Sequence, residues 1–166
     1  MKTTEIGLLA ELLKNSKKSD RELGRILGVS QPTVSRTRAK LEKIGMIQEY
    51  TVVPDITKLG FELMAITTGR YIVPRTKEIM EKATAYMKKF PSILFSARAQ
   101  GMGKDAVMIS VHENFTDYEN FMATLKTDWG TTVGEQESIL ISLRGFVAKP
   151  FSLKYLAERI NPSKKK

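Results

Sequence analysis

Apolar residues in the first 47 positions recur at helical spacing, and most later apolar clusters alternate between strand and helix spacing. Ile6, Leu9, Leu12 and Leu13 put one stripe on a helix from about Thr4 to Asn15, which the polar run Ser16-Lys17-Lys18 ends. Ser19-Asp20-Arg21-Glu22 reads as a capping box, in which the hydroxyl and the carboxylate satisfy amides that a helix start leaves unpaired. The short helix it opens turns Leu23, Ile26 and Leu27 inward. Gly28 supplies a positive φ for a sharp turn, Ser30 caps a third helix at once, and Pro32 is tolerated in its first turn.

A hinge is expected at Pro54, Asp55 and Lys58-Leu59-Gly60. The pattern beyond it predicts a strand from Leu63 to Val73, a helix from Thr76 to Phe90, and strands Ile93–Ala99 and Ala106–Val111. A second helix, with Thr116-x-x-Glu119 as its capping box, and a strand Ser138–Leu143 follow. The order βαββαβ favours a ferredoxin-like antiparallel sheet with both helices on one face. Ile79, Ala83, Tyr86, Met87 and Phe90 on the first helix, and Tyr118, Phe121, Met122, Leu125 and Trp129 on the second, read as core. Val107-Met108-Ile109 and Ile139-Leu140-Ile141 are apolar on both alternations, so the uncovered sheet face is expected to pair with a second copy as a homodimer or higher oligomer.

The expected fold class is α+β, a winged helix-turn-helix of three helices followed by the ferredoxin-like domain. Residues 1–53 form the helix-turn-helix domain, 54–61 the hinge, and 62–144 an effector and dimerisation domain. Residues 145–166 form an extension with a helix from Ser152 to Ile160 and a basic tail, Lys164, Lys165 and Lys166, read as a solvated end.

The third helix carries the candidate chemistry. At roughly 100° per residue, Val34, Thr37, Leu41 and Ile44 define its buried side. Opposite lie the small residues Pro32, Ser35 and Ala39, flanked by Arg36 and Lys43 on one shoulder and Gln31 and Arg38 on the other. Small residues let a helix approach a groove floor while long basic side chains reach base edges or phosphates. The candidate DNA contacts are Ser30, Gln31, Pro32, Thr33, Ser35, Arg36, Arg38, Lys40 and Lys43. Any one of these basic residues alone is more often solvated; the coincidence of capped helix, glycine turn and small-centred basic face makes the case.

Charge agrees with that reading. The chain of 166 residues holds 27 Lys and Arg against 18 Asp and Glu, for a formal charge of +9 and a pI near 9.7, which makes double-stranded DNA the first partner to consider. Zero cysteines and one histidine, His112, exclude disulfides, thiolate metal sites and multi-histidine sites. No cofactor, no metal, no catalytic residue and no enzyme activity is expected. No run of 18 or more apolar residues occurs, so a cytoplasmic protein without a membrane partner is expected.

Ser19-x-x-Glu22-Leu23-Gly24-x-x-Leu27-Gly28-Val29-Ser30-Gln31-Pro32-Thr33-Val34, followed by Lys40-Leu41-Glu42-Lys43-Ile44-Gly45-Met46-Ile47, resembles the helix-turn-helix of the Lrp/AsnC (feast/famine) transcription regulators, especially archaeal ones. The chain departs from that pattern at Thr37, where the family commonly has arginine, and at Arg38, where it has an aliphatic residue. The resemblance extends to residue 144 or so and implies a sequence-specific DNA-binding regulator, dimeric or larger. It also implies an effector near a glycine–aspartate turn, here Gly101-Met102-Gly103-Lys104-Asp105. Gly101 and Gly103 would free backbone amides for a carboxylate, with Lys104 and Asp105 beside them, a combination suited to an amino acid. An ordinary hairpin is the plainer reading of the same residues. Siroheme decarboxylase subunits are similar in both halves and would enlist His112 with Arg70 or Arg98. A non-specific chromatin-like DNA binder and an RNA-binding module also stay open, the latter needing exposed aromatics that the central strands lack.

Overall fold

The computed structural model describes residues 2–161, so the tail Lys164–Lys166 lies outside the described residues. Two compact units form, one from residues 2–54 together with 149–161 and the other from 55–148.

In the helical unit α1 spans Thr3–Lys14, α2 Asp20–Leu27 and α3 Gln31–Lys43. Both predicted caps of the turn are made: Ser19 and Glu22 form the capping box, and Gly28 closes α2 at φ 68°. Close approach matters at Gly24, where a Cβ would stand 2.7 Å from the Val29 carbonyl. Leu8, Leu12, Leu23, Val34 and Leu41 form the core. Leu8, absent from the expected stripe, is fully buried, and Glu5, Ala10 and Glu11 are buried with it. A second surface covers α1: α6, Leu156–Ile160, preceded by a 3-10 turn Leu153–Tyr155, packs on it. The single helix predicted from Ser152 to Ile160 is thus split. Ile26 and Ile44, expected to face inward, are 39% and 57% exposed. At Ile44 the reason is local, because α3 ends at Lys43 and Ile44 caps it with ψ 6°, where helical phase no longer holds.

The second unit begins with a 3-10 turn Ile56–Leu59 in the expected hinge and runs through β1 (Leu63–Tyr71), α4 (Lys77–Met87), β2 (Ile93–Gly101), β3 (Lys104–His112), α5 (Phe115–Trp129) and β4 (Val133–Ser142). The order βαββαβ is as expected, and the antiparallel sheet is arranged β2-β3-β1-β4. Met108, Phe121, Met122 and Leu125 form the core, with Tyr86, Met87 and Phe90 of the α4 segment packed against it, so both helices cover one face. Two expectations need correction. The cap of α5 is Asn114, which accepts from the Asp117 amide, rather than Thr116. The last strand starts at Val133 rather than Ser138, because its first half is polar, carries Glu135 at φ 49° and shifts register against β1 between Thr68 and Arg70, which hides the alternation.

On the face away from the helices, Phe95, Ile109, Ile66 and Ile139 form one cross-strand row through all four strands. Its ends are open to solvent, Phe95 at 52% and Ile139 at 67%.

Candidate nucleic-acid interface

Helix α3 is set by its buried side, Val34 and Leu41 having no exposure. Its start is fixed by Ser30, whose hydroxyl accepts from the Thr33 amide and pairs with the Thr33 hydroxyl at 2.8 Å. Gln31, Pro32, Thr33, Ser35, Arg36, Ala39, Lys40 and Lys43 are exposed. Pro32, Ser35, Arg36, Ala39 and Lys43 recur at helical spacing on the side away from Val34, so the small-centred basic face exists. Among the described residues Arg36 and Lys43 enter no ion pair.

Two of the predicted DNA contacts also have partners within the unit. Arg38 lies roughly 40° from Val34 by helical phase, nearer the core than the reading face. Its Nε and Nη2 both donate to Asp20 Oδ1, at 3.0 and 2.7 Å, and Nη1 donates to the Tyr50 hydroxyl at 3.2 Å. That hydroxyl donates in turn to Glu42 at 2.7 Å. Lys40 reaches the other way and donates to Glu5 on α1 at 2.6 Å. The Lys40 hydrogen bond holds the Glu5 carboxyl below its ordinary range. Asp20, Glu5 and Tyr50 stand 12 to 35 residues from their partners, a separation that no local pattern encodes.

The glycine turn is a two-residue hairpin, with Met102 at φ 52° and Gly103 at φ 71° between the paired Gly101 and Lys104. Lys104 and Asp105 do not converge there. Lys104 donates to Glu135 and Glu137 of β4, whereas Asp105 accepts from the Tyr71 amide at 3.0 Å and pairs with Arg75 at 3.5 Å. Asp105, Arg75 and Tyr71 instead border a cavity of about 520 Å3 between α4 and the sheet, floored by Ala83, Met108 and Leu125. Gln136, which lines the same cavity, has a buried side-chain oxygen without a hydrogen-bond partner.

His112 shows why the decarboxylase reading gains no support. Its Nε2 lies 2.9 Å from the Ser110 hydroxyl and its Nδ1 3.3 Å from Asp117, the order of a catalytic triad. Ser110 has no exposure, however, and the ring is packed on Tyr118 and Phe121. Burial pushes the imidazole below its ordinary pKa despite Asp117. The imidazole itself is only 1% exposed, so it does not line an open anionic pocket with Arg70 or Arg98.

Comparison with known proteins joins the helical unit to a defined lineage. A model for winged helix-turn-helix DNA-binding domains matches residues 1–48. The HTH-type transcriptional regulator LrpC of Bacillus subtilis is 32% identical over 97 residues, covering 58% of this chain and 65% of LrpC. The HTH-type transcriptional regulator Ptr1 of Methanocaldococcus jannaschii is 32% identical over 120 residues, covering 72% of this chain and 77% of Ptr1. The chain spans about half to two thirds of the length of LrpC and two Pyrococcus relatives. A transcriptional regulator of Neisseria meningitidis, crystallised with L-Met, shares the fold at a TM-score of 0.75 and 18% identity, over 94% of this chain and 99% of that one. The chain belongs to the Lrp/AsnC family of helix-turn-helix regulators.

Proposed function

We propose that this protein is a sequence-specific DNA-binding transcription regulator that acts as a dimer or larger oligomer. The observation that carries the reading is the face of α3 on which Arg36 and Lys43, in no ion pair among the described residues, stand beside Pro32, Ser35 and Ala39. Gln31, Ser35 and Arg36 read base edges, and Lys43 contacts phosphate. Selection of the full chain on a random duplex pool should return one motif with two-fold symmetry, its half-sites about 10 bp apart. Arg36→Ala should then cost about 1–3 kcal/mol and relax preference at one position, while Lys43→Ala weakens all sequences alike and flattens the salt dependence. Recovery of no motif, or an Arg36→Ala variant with unchanged preference, would refute the reading.

The row Phe95, Ile109, Ile66 and Ile139 is the proposed self-association face, since apolar side chains across all four strands lie toward solvent there. Ile139→Asp should shift sedimentation toward monomer at micromolar concentration. A variant that sediments like the parent moves the interface elsewhere.

A small effector is supported by the cavity rather than by the hairpin tip. Arg75 offers a cation, Asp105 and the orphan Gln136 oxygen offer acceptors, and Ala83, Met108 and Leu125 offer an apolar floor, which together suit an apolar amino acid. The L-Met bound to the Neisseria regulator agrees in ligand class. Calorimetric titration of the full chain with the twenty amino acids should give heat with an apolar one and lose it in Asp105→Asn. No heat from any amino acid, or heat unchanged by that substitution, would leave the protein without an effector at this place. An effector must also favour one DNA-binding or assembly state, since equal affinity shifts no population.

A further inference from the structure

We propose that Arg38 is a positioning residue: by gripping Asp20 and Tyr50 it fixes the angle of the recognition helix and leaves base and phosphate contact to Arg36 and Lys43. The inference rests on the DNA-binding reading above.

A helix-turn-helix reads DNA with one helix held against another, and the side chains of the reading face reach their bases only if that crossing angle is fixed. The turn Gly28-Val29-Ser30 fixes the two helices at one point, the end of α2 and the start of α3. A rigid pair needs a second point, well separated from the first. Asp20 opens α2, at the end away from the turn, and Arg38 lies past the middle of α3. Their link spans 18 residues of sequence. Both guanidinium donors on that side converge on one carboxylate oxygen, which restricts orientation more than a lone ammonium contact could. On its other side the guanidinium donates to Tyr50, which donates to Glu42 one helical turn further along α3, so the arginine head is held from two directions. The side chains of Arg38 and Asp20 are only 19% and 24% exposed, so solvent screens their attraction less than that of a surface pair. Arg36, by contrast, is exposed and enters no ion pair among the described residues.

The opposing case is that Arg38 lets go of Asp20 and takes a phosphate when DNA arrives. The two cases give opposite signs for one substitution. Asp20→Asn removes an acidic group from a basic surface and frees Arg38. If Arg38 were a DNA contact, that would strengthen binding; if Arg38 is the second fixing point, binding to the selected motif weakens. The experiment measures affinity of the full chain for its selected motif and for an unrelated duplex, across a series of salt concentrations. Asp20→Asn and Arg38→Lys should each weaken the motif about tenfold, with the salt slope unchanged within about half an ion and with little loss on the unrelated duplex. The exchange Asp20→Arg with Arg38→Asp should recover part of the lost preference, which neither single change does. Arg36→Ala serves as the contact control and loses motif preference in either case.

The proposal is overturned if Asp20→Asn tightens the motif, if Arg38→Lys keeps full affinity, or if Arg38→Ala lowers the salt slope by about one ion. If the parent chain selects no motif at all, the DNA-binding reading falls and this proposal falls with it. If the parent selects a motif and Arg36→Ala loses it, the reading stands and the Asp20 and Arg38 variants alone decide.

Discussion

The helical unit and the sheet unit hold their elements together by different means. In the first, helices are bridged by charge over long separations, Glu5 to Lys40 and Asp20 to Arg38, and Glu11 ties α1 to Lys18 in the loop that follows it. In the second, the strand ladders and a cluster of methionine and aromatic side chains bridge the elements, with the Tyr86 ring tilted against Phe90 and Trp129, and Phe90 edge-on to Phe121. Three short helices offer few buried apolar positions, so charged groups at their crossings help to define the angles. Basic residues in such a unit therefore divide into those that build it and those free to meet an anion. A net charge cannot make that division.

The comparison is easiest to break at its apolar end. Phe121→Ala should cost the sheet unit about 3–5 kcal/mol, read from urea unfolding by the fluorescence of Trp129, which lies in the same cluster. A loss under about 1 kcal/mol would mean that the ladder alone sustains the unit. In the helical unit the largest effect should come from acid. Burial opposes ionisation of Glu11, but hydrogen bonds from Lys18 and Lys14 outweigh it and hold the carboxyl at about 2 against an ordinary 4.5. Because the folded value is the lower one, that stability is complete above pH 4.5 and drains away as pH falls toward 2. It amounts to at most about 3 kcal/mol, and Glu11→Gln should reduce the slope in helix signal across that window, leaving the part due to Glu5 and Glu22, whose carboxyls are also lowered.

Smaller effects sharpen the contrast. Lys104 is the one long-range charge bridge in which a sheet-unit side chain is nearly sealed, at 9% exposure among the described residues, and Lys104→Ala should cost about 1 kcal/mol. His112 should matter least. Its folded pKa is depressed by burial from an ordinary 6.5, so stability is full above pH 6.5 and erodes as pH falls below it. The groups around it are Ser110, Asp117, Tyr118 and Phe121. Urea midpoints read by Trp129 between pH 7 and 5 should slope in the parent and lie flat in His112→Asn.

Features governed by a few neighbouring residues are legible in the sequence. Ser19 with Glu22, Ser30 and Gly28 mark their helix ends because capping and positive φ are local demands. The order of strands and helices in the second unit is legible for the same reason, since the period of two or 3.6 is written into each segment. Leu8 is buried in the core that α1 shares with Leu23, Val34 and Leu41 of the other two helices, and the second cover on α1, α6, arrives from more than a hundred residues away, so no local pattern reports how much of α1 is buried. Of the candidate DNA contacts, Arg36 and Lys43 follow from helical phase alone. Arg38 and Lys40 carry the same charge on the same helix, and nothing within four residues of either reveals Asp20 or Glu5. The cavity at Arg75 and Gln136 has no signal in the sequence, because its walls come from α4, α5 and all four strands.

The return of residues 149–161 to α1 sets a timetable for synthesis. A ribosome makes the chain from its amino end, so α1, α2 and α3 emerge long before the segment that covers α1. The sheet unit, continuous from 55 to 148, can fold while the helical unit still waits for its last piece. The part proposed to read DNA is then completed after the part proposed to hold two copies together. A nascent chain would reach its partner before its reading head is finished, and a chain cut short near residue 148 would associate with full-length copies while contributing an incomplete head. Such a product would act as a poison in mixed dimers rather than as an inert fragment.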